Sequence, residues 1–236
     1  MKSANPACWA IVPAAGSGRR MGAATPKQFL ELGRRTVLEH SLESLWGAVE
    51  LEGLVLVSHG HPALASLSER YSERKLIRAD GGRERCHSVL NGLTALAESA
   101  QADDWVLVHD AARPCVRQQD LRLLIDTLAN HAVGGLLGKP VHDTIKRTDK
   151  QGAVAATVAR DALWHAYTPQ MFRYGLLQAA LTNALQDGYE VTDESSAMEH
   201  AGHRPLMVEG HADNIKITRP EDLPLAEYFP QQQGRL

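Results

Sequence analysis

A short glycine-containing segment near the start of the chain has the residue types needed to bind phosphate groups. Residues 14–21 read Ala-Ala-Gly-Ser-Gly-Arg-Arg-Met, and residues 26–28 read Pro-Lys-Gln. Small residues let the backbone approach a ligand closely, and successive backbone amides in such a loop can hold phosphate oxygens. Arg19, Arg20 and Lys27 add positive charge beside those amides. The combination favours a polyphosphate as the ligand of this loop.

Three interpretations of the loop compete. It could be a tight strand-to-helix turn with solvated arginines, because short glycine motifs often occur by chance. A dinucleotide-binding turn needs Gly-x-Gly-x-x-Gly and a carboxylate about 20 residues later. Here Gly16, Gly18 and Gly22 are spaced one residue too long, the strand predicted at 53–57 is followed by a serine and a histidine, and no Gly-Lys-Ser/Thr of a Walker loop is present. The third interpretation is a nucleoside-triphosphate loop, since the pattern resembles Ala-Ala-Gly-x-Gly-x-Arg-Met followed by Pro-Lys in sugar-nucleotide transferases.

A second glycine-containing segment precedes a predicted helix. Residues 81–88 read Gly-Gly-Arg-Glu-Arg-Cys-His-Ser. A glycine pair before a helix leaves unpaired amides that can face a ligand. Gly82 would then admit a base or ribose, and Ser88 would form a hydrogen bond with it. A plain turn followed by a polar first helical turn is the alternative.

Two charged positions are candidates for ion and phosphate binding. Asp110 follows a buried predicted strand, and a carboxylate there suits Mg²⁺, which takes one or two carboxylates together with substrate phosphate. Arg113 could hold a phosphate through its planar fork, or it could form a salt bridge with Asp110. Lys216 lies between two isoleucines, so strand alternation would turn it away from the core, either to solvent or to a triphosphate.

The elements that must position these residues alternate between strand and helix. Near-continuous apolar runs predict strands, and apolar residues at helical spacing predict helices. This alternation indicates an α/β fold with a mostly parallel sheet covered on both faces, whose strand ends gather ligands. The predicted strands are 9–12, 53–57, 75–79, 105–109, 206–208 and 215–217, and the predicted helices are 36–48, 63–71, 85–97, 118–131, 174–186, 192–200 and 220–228.

The alternation breaks between residues 138 and 170. Two extended segments flank a polar turn there, which is typical of a β-hairpin. An isolated hairpin is marginally stable in water. We therefore expect a protruding arm at about residues 139–162 that leans on a second subunit. The tail at 231–236 is expected to fray.

Composition limits the classes of protein that fit. The chain has 236 residues, 44% of them hydrophobic and 22% charged, which suits a single globular domain over 1–236. A net charge of −3 argues against a nucleic-acid partner. The three cysteines show neither zinc spacing nor a disulfide framework, which favours a reducing, cytoplasmic location. No signal core and no run of 18 apolar residues is present, so no membrane span is expected.

Taken together, the motifs resemble those of the 2-C-methyl-D-erythritol 4-phosphate cytidylyltransferase family of the non-mevalonate isoprenoid pathway. The resemblance extends over nearly the whole chain and includes the motifs at 143–146, 168–170, 192–194 and 213–222. It implies a Rossmann-like nucleotidyltransferase fold and a homodimer whose arm reaches the other subunit. It also implies Mg²⁺-dependent transfer of CMP from CTP to a sugar-alcohol phosphate, with release of pyrophosphate.

The resemblance also implies roles for individual residues. The CTP side would comprise Ala14, Ala15, Gly16, Gly18, Arg20, Lys27, Gly82, Ser88 and Lys216. The methylerythritol phosphate side would comprise Asp110, Arg113, Thr144, Arg160, Thr168 and Thr192. Arg20, Lys27, Arg160 and Lys216 would be catalytic, and Asp110 with Asp213 would hold the metal. Thr144 and Arg160 lie on the arm, so which subunit's site they serve stays open. Arg83 stands where relatives often have an acidic or small residue.

Three alternative functions can be compared with this one. A ribitol 5-phosphate cytidylyltransferase would share the fold and the CTP loop. An oxidoreductase that binds NAD is disfavoured by the glycine spacing. A nucleotide-binding protein without catalysis would be expected to lack cations that Arg20, Lys27 and Lys216 provide.

Overall fold

The computed structural model describes residues 6–16 and 25–235. Their centre is a seven-stranded sheet, formed by β1 (Cys8–Pro13), β4 (Gly53–Ser58), β5 (Leu76–Asp80), β6 (Trp105–Val108), β7 (Gly134–Pro140), β10 (Trp164–Arg173) and β11 (Leu206–Glu209). Two short strands, β2 (Glu31–Leu32) and β3 (Arg35–Thr36), pair with each other, as do β8 (Ile145–Thr148) and β9 (Val154–Val158).

The order of the central sheet is β11-β7-β10-β6-β1-β4-β5. All pairings are parallel except those of β10, which runs antiparallel to both β6 and β7. The expectation of a mostly parallel α/β sheet is therefore confirmed. Because β1, β4 and β6 are parallel neighbours, the segments that follow them meet at one edge of the sheet.

The described residues form seven helices, six of which cover the central sheet while α7 packs in a separate small core: α1 (Val37–Ala48), α2 (Ala63–Arg70), α3 (Arg85–Ala95), α4 (Gln118–Leu128), α5 (Tyr174–Gln186), α6 (Glu194–His200) and α7 (Asp222–Gln232). One core joins α1, α2 and α4 to one face of the sheet, and a second joins α3, α5 and α6 to the other. Strand alternation explains the division: Ala10 and Val12 enter the first core, Trp9 and Ile11 the second.

Local capping accounts for two helix starts that matter for the site. Thr36 caps α1, and its amide and hydroxyl both bond to Glu39, which completes a capping box. Asp193 caps α6 by accepting a hydrogen bond from the Ser196 amide at 2.9 Å. This second cap places Glu194 at the first position of its helix.

Two sequence-based expectations were wrong, and two strands were missed. The predicted strand at 215–217 is an extended segment outside the sheets, anchored where the Ile217 amide donates to the Ala112 carbonyl at 2.9 Å. Strands β7 and β10 were not predicted, and β10 contains Pro169 near a shift in its pairing register. The tail is not frayed at Arg235, whose guanidinium donates to the carbonyls of Pro114, Val116 and His40.

The expected hairpin is present. Strands β8 and β9 pair antiparallel with Ile145 opposite Val158, and their residues are mostly exposed. The arm leaves and rejoins the sheet where Trp164 pairs with Pro140, beside a hydrogen bond from the Val141 amide to the Leu163 carbonyl. The paired ends of β7 and β10 therefore form the base of the arm.

Candidate active site

A cavity of about 620 Å³ opens at the carboxyl edge of the sheet. The segments that follow β1, β5 and β6 line it, together with the extended segment before α7. The predicted site residues among its lining are Ala14, Ala15, Gly16, Lys27, Gly82, Ser88, Asp110 and Lys216. Gly18 and Arg20 lie outside the described residues. The structure thus brings together segments that are up to 200 residues apart in the sequence.

The described part of the glycine loop is held by bonds that sequence reasoning did not assign. The Ala14 amide donates to the Val57 carbonyl at 2.7 Å. The Gln28 side-chain amide donates to the Ala14 carbonyl at 2.7 Å and to the Gly16 carbonyl at 3.0 Å. Gln28 is buried, so it acts as an internal brace for the loop. The motif Pro-Lys-Gln contained this residue, but nothing in the sequence indicated its contacts.

Lys27 starts a single 3₁₀ turn (Lys27–Phe29) directly after Pro26. Its ammonium donates to the Ile217 carbonyl at 2.6 Å and lines the cavity. This bond connects the phosphate-loop side of the cavity to the segment that carries Lys216. Two cationic side chains from distant parts of the sequence therefore face the same space.

The two glycines before α3 are needed for close packing. A Cβ at Gly82 would lie 2.4 Å from the His87 Cβ, and one at Gly81 would lie 2.4 Å from the Ala15 Cβ. The Gly82 amide donates to the Ser88 hydroxyl at 3.0 Å, and that hydroxyl donates to the Glu84 carbonyl at 3.2 Å. The Ser88 hydroxyl therefore shapes the turn, and one of its oxygen lone pairs remains for a ligand.

Asp110 is the electrostatic centre of the cavity. Its Oδ1 accepts a hydrogen bond from Arg85 Nε at 2.8 Å, and its Oδ2 lies 2.8 Å from Lys216 Nζ and 3.7 Å from Arg113 Nε. Burial favours the neutral acid, but the charges of Arg85, Lys216 and Arg113 outweigh it and hold the pKa of Asp110 well below its usual range. Asp110 is therefore an anion in a cluster with three cations.

Arg85 was not assigned a role from the sequence, yet it connects this cluster to the second core. Its two terminal nitrogens donate to Glu194 at 2.6 Å and 3.0 Å. The side chain of Glu194 is 1% exposed. Burial raises the pKa of Glu194, and the Arg85 charge opposes that rise. Burial lowers the pKa of Arg85, but Glu194 and Asp110 together raise it above its ordinary value.

Arg113 and Thr168 hold the loop after β6 in place. Arg113 donates to the Asn214 carbonyl at 2.6 Å, and its guanidinium lies 5.0 Å from the centre of the Tyr167 ring. The Thr168 hydroxyl accepts from the Asp110 amide at 3.0 Å and lies 3.1 Å from His109 Nδ1. Burial lowers the pKa of His109 to about 4, so this ring is neutral at pH 7. Neither Arg113 nor Thr168 lines the cavity.

The remaining predicted substrate residues lie outside the described cavity. Thr192 precedes α6, and its amide donates to the Ser196 hydroxyl at 3.1 Å. Thr144 and Arg160 are exposed on the arm, where Arg160 donates to the His142 carbonyl. None of the three lines the cavity formed by this chain.

Only one of the two predicted metal ligands lines the cavity. Asp213 is not among the lining residues, and its Oδ2 accepts from Arg117 Nη2 at 2.7 Å and from the Gln233 amide at 3.0 Å. Asp110 fits Mg²⁺ as a single carboxylate, because its two oxygens keep lone pairs beyond those used by Arg85 and Lys216. One carboxylate with phosphate oxygens and water is a usual donor set for that ion.

Comparison with known proteins supplies the decisive observation. The profile of the family described as 2-C-methyl-D-erythritol 4-phosphate cytidylyltransferase matches residues 8–232. A protein of that name from Pseudomonas entomophila is 53% identical over 225 residues, which cover 94% of this chain and 95% of the relative. The chain belongs to the 2-C-methyl-D-erythritol 4-phosphate cytidylyltransferase family.

Solved structures agree with this assignment. A crystal structure of a 4-diphosphocytidyl-2C-methyl-D-erythritol synthase matches with a TM-score of 0.83 and 37% identity, covering 96% of this chain and 99% of that one. The cytidylyltransferase of this family from Francisella tularensis matches with a TM-score of 0.78 and 32% identity, covering 94% and 99%. The expected nucleotidyltransferase fold is thereby confirmed. Among the helices of the described residues, none has the length and apolar character of a membrane span.

Arg83 lies between the glycine pair and the start of α3. Its side chain lines the cavity, is highly exposed and lies 3.7 Å from Glu84. An exposed pair of this kind contributes little to stability. Arg83 therefore leaves an exposed positive charge at the rim of the cavity.

Proposed function

We propose that this protein transfers CMP from CTP to 2-C-methyl-D-erythritol 4-phosphate, forming 4-CDP-2-C-methyl-D-erythritol and pyrophosphate for isoprenoid biosynthesis. Membership of the family supports this activity over a ribitol 5-phosphate cytidylyltransferase and over a nucleotide-binding protein without catalysis. The single observation that carries the proposal is the cavity where Asp110, Arg85 and Lys216 form one charged cluster beside the glycine loop.

The chemistry joins two anions, so charge neutralisation is the main task of the protein. An oxygen of the substrate phosphate forms a bond to the α-phosphorus of CTP, while the bond from that phosphorus to the pyrophosphate oxygen breaks. The phosphate is already a nucleophile, so no side chain needs to attack. Catalysis then consists of positioning the reactants and stabilising their charge.

The residues of this chain divide that task. Backbone groups of the segment 14–16 and the Lys27 ammonium face the space for the triphosphate, and Arg20 of the same loop is proposed to act with them. Lys216 rests on Asp110 and is proposed to turn toward the α-phosphate when an anion enters. Thr168 and Arg113 keep Asp110 in place through the loop after β6. Gly82 and Ser88 are proposed to border the base and ribose.

Asp110 would hold Mg²⁺ or another divalent cation. When bound with the nucleotide, this ion would supply positive charge to the phosphate oxygens and lower their repulsion of the substrate phosphate. The cation cluster on Asp110 keeps the carboxylate ionised for that purpose. Asp213 is not included, because it does not line the cavity and Arg117 and Gln233 bind its Oδ2.

The test of the activity is pyrophosphate release from CTP with methylerythritol phosphate and Mg²⁺. Ribitol 5-phosphate in place of methylerythritol phosphate should give little release. Thermal stabilisation by CTP without turnover would instead identify a nucleotide-binding protein, and stabilisation by NAD alone would favour the oxidoreductase. Lys216→Ala should lose most turnover, whereas Lys75→Ala, which removes an exposed lysine paired with Glu52, should retain it.

We also propose that the protein is a homodimer joined through the arm. Strands β8 and β9 form a two-stranded sheet of their own, and Val154 is 63% exposed. Such a hairpin gains little stability alone, so a second subunit would supply its packing. Thr144 and Arg160 would then contribute to the partner's site and contact the substrate phosphate.

Mixing two inactive variants tests that arrangement. Arg160→Ala removes a side chain of the arm, and Lys216→Ala removes a side chain of the cavity. If the arm serves the other subunit, mixed dimers contain one intact site, and an equal mixture regains about a quarter of the wild-type activity. No regain after subunit exchange would place Arg160 in its own subunit's site. Light scattering that shows an active monomer would overturn the dimer.

A further inference from the structure

Three side chains with metal-binding atoms meet where α3 begins. Cys86 Sγ lies 3.9 Å from Glu84 Oε2 and 3.6 Å from His87 Nδ1. The three ligand atoms all lie within 4.8 Å of one another, the one group of this kind in the part of the chain that the structure describes. The proposed transfer uses none of the three side chains.

The spacing suits a tetrahedral thiophilic ion. Zinc lies about 2.0–2.3 Å from nitrogen, oxygen and sulfur ligands, which puts two ligands of a tetrahedron about 3.3–3.8 Å apart. The distances from the Cys86 sulfur are already close to this range. Only the Glu84 carboxylate needs to move closer, and its side chain is exposed and long enough to do so. Thiolate and imidazole ligands select zinc-like ions over Mg²⁺.

The backbone holds these ligands together before any ion arrives. Cys86 and His87 are consecutive in the first turn of α3, and Glu84 precedes that helix. The Ser88 amide donates to the Glu84 carbonyl at 3.1 Å, and the Gly82 amide donates to the Ser88 hydroxyl. These bonds fix the turn, so binding would order few backbone groups. A preorganised site loses less free energy to ordering on binding.

Charge balance also favours a divalent ion here. On coordination the Cys86 thiol gives its proton to solvent, so the thiolate and the Glu84 carboxylate together carry two negative charges. A divalent ion neutralises both. The complex is then neutral, whereas the free site carries the single negative charge of Glu84, so no uncompensated cation is placed beside Arg83 or at the positive end of the α3 dipole.

We propose that Glu84, Cys86 and His87 bind a thiophilic divalent cation such as Zn²⁺, and that this ion strengthens nucleotide binding in the adjoining cavity. Glu84 lines that cavity, and Gly82 packs against His87. A bound ion would neutralise the Glu84 carboxylate, which otherwise repels the phosphates of a nucleotide in that cavity. The effect on nucleotide rests on the proposed function, whereas binding of the ion does not.

Cadmium titration of the full-length protein tests binding independently of activity. Cd²⁺ bound to a thiolate gives an ultraviolet charge-transfer band, and we expect it to saturate at one equivalent. Cys86→Ser should abolish the band, while Cys8→Ser and Cys115→Ser, which change the other two thiols, should retain it. His87→Gln should weaken binding by tenfold or more, since even outer-shell losses cost about 10–100-fold.

The outcomes separate the two parts of the proposal. A missing band in the wild type, or a band that survives in a folded Cys86→Ser variant, overturns the metal site. A thermal melt establishes folding, and His87→Gln provides a second variant if Cys86→Ser does not fold. With Mg²⁺ saturating, Zn²⁺ should lower the KM for CTP in the wild type and leave it unchanged in His87→Gln. A rise in the wild type, or an equal change in both proteins, overturns the effect on nucleotide binding, whereas absence of turnover without Zn²⁺ contradicts the proposed function instead.

Discussion

Replacing Glu194 with glutamine tests whether a buried ion pair holds the active-site carboxylate in position. Glu194 accepts two hydrogen bonds from Arg85, and the third bond of that guanidinium goes to Asp110. Glutamine has nearly the same shape, but its amide group presents hydrogens to a donor. The substitution therefore removes the charge and one acceptor from the pair while it keeps the volume of the side chain.

The size of the effect follows from the burial of the pair. Glu194 is 1% exposed, and removal of one partner from a buried pair costs about 3–5 kcal/mol. In a chain of this size each kcal/mol lowers the thermal midpoint by about 2–4 °C, so a fall of about 6–20 °C is expected. The Arg85 guanidinium, which also donates to Asp110, is then no longer held by the Glu194 carboxylate. We expect kcat to fall more than the KM for CTP rises, because Lys27 and the glycine loop keep their places.

The measurements are a thermal melt and steady-state pyrophosphate release, with Glu209→Gln as the matched control. Glu209 lies 2.8 Å from Lys139, but its side chain is 54% exposed, so the control should lose less than about 1 kcal/mol. Equal losses in the two variants would refute the reasoning. The double variant Arg85→Met with Glu194→Leu should regain stability, because apolar residues can replace a buried pair, and should stay inactive.

Three further outcomes are expected. Between pH 4 and 6.5 His109 binds a proton in the unfolded chain but not in the folded chain, where the pKa of this ring is about 4. The free energy of unfolding should therefore fall as pH drops, by up to about 1.4 kcal/mol per pH unit. Urea unfolding should show a flatter pH dependence for His109→Gln than for the wild type. Lys27→Ala should lower kcat by about 10²–10³-fold, with Lys27→Arg regaining part; normal turnover in the alanine variant would contradict the assignment of the loop. Arg235→Ala should lower both the thermal midpoint and kcat, because it releases carbonyls beside the Asp110 loop, whereas the exposed Arg204→Ala should change neither.

The sequence predicted the elements whose burial is regular. Strands β4 and β6 are buried along their whole length and almost entirely apolar because helices cover both faces of the sheet, so their composition alone marks them. Helix α1 likewise begins at a capping box that can be read from Thr36 and Glu39. These signals are local, and the structure confirms them.

Elements defined by distant partners could not be predicted in this way. Strand β10 contains His165, Thr168 and Pro169, and it is a strand because β6 and β7 pair with its two sides. Residues 215–217, Ile-Lys-Ile, have the alternation typical of a strand. Their backbone does not pair with a neighbouring strand, and the Ile217 amide donates to the loop after β6. Local pattern carries no information about such pairings.

The candidate site shows the same division. The motifs predicted which segments carry Asp110, Lys27 and Lys216, because each motif is contiguous in the sequence. The ion pair between Arg85 and Glu194 joins residues 109 positions apart in the sequence. In the sequence alone, Glu194 cannot be distinguished from an ordinary exposed acid at the start of a helix. The hydrogen bond from Gln28 to the glycine loop likewise depends on the folded structure and is not visible in the sequence.

The contacts of Arg235 have a consequence for how the protein is made. This residue bonds to Pro114 and Val116, in the loop that begins with Asp110, yet it is synthesised more than 110 residues after them. Domains begin to fold during synthesis from their N-terminal side. A nascent chain can therefore assemble the sheet and most helices while this loop still lacks its last supports. The loop that carries Asp110 gains its last hydrogen bonds only when position 235 has left the ribosome. Most of the fold can therefore form during synthesis before the candidate active site is complete.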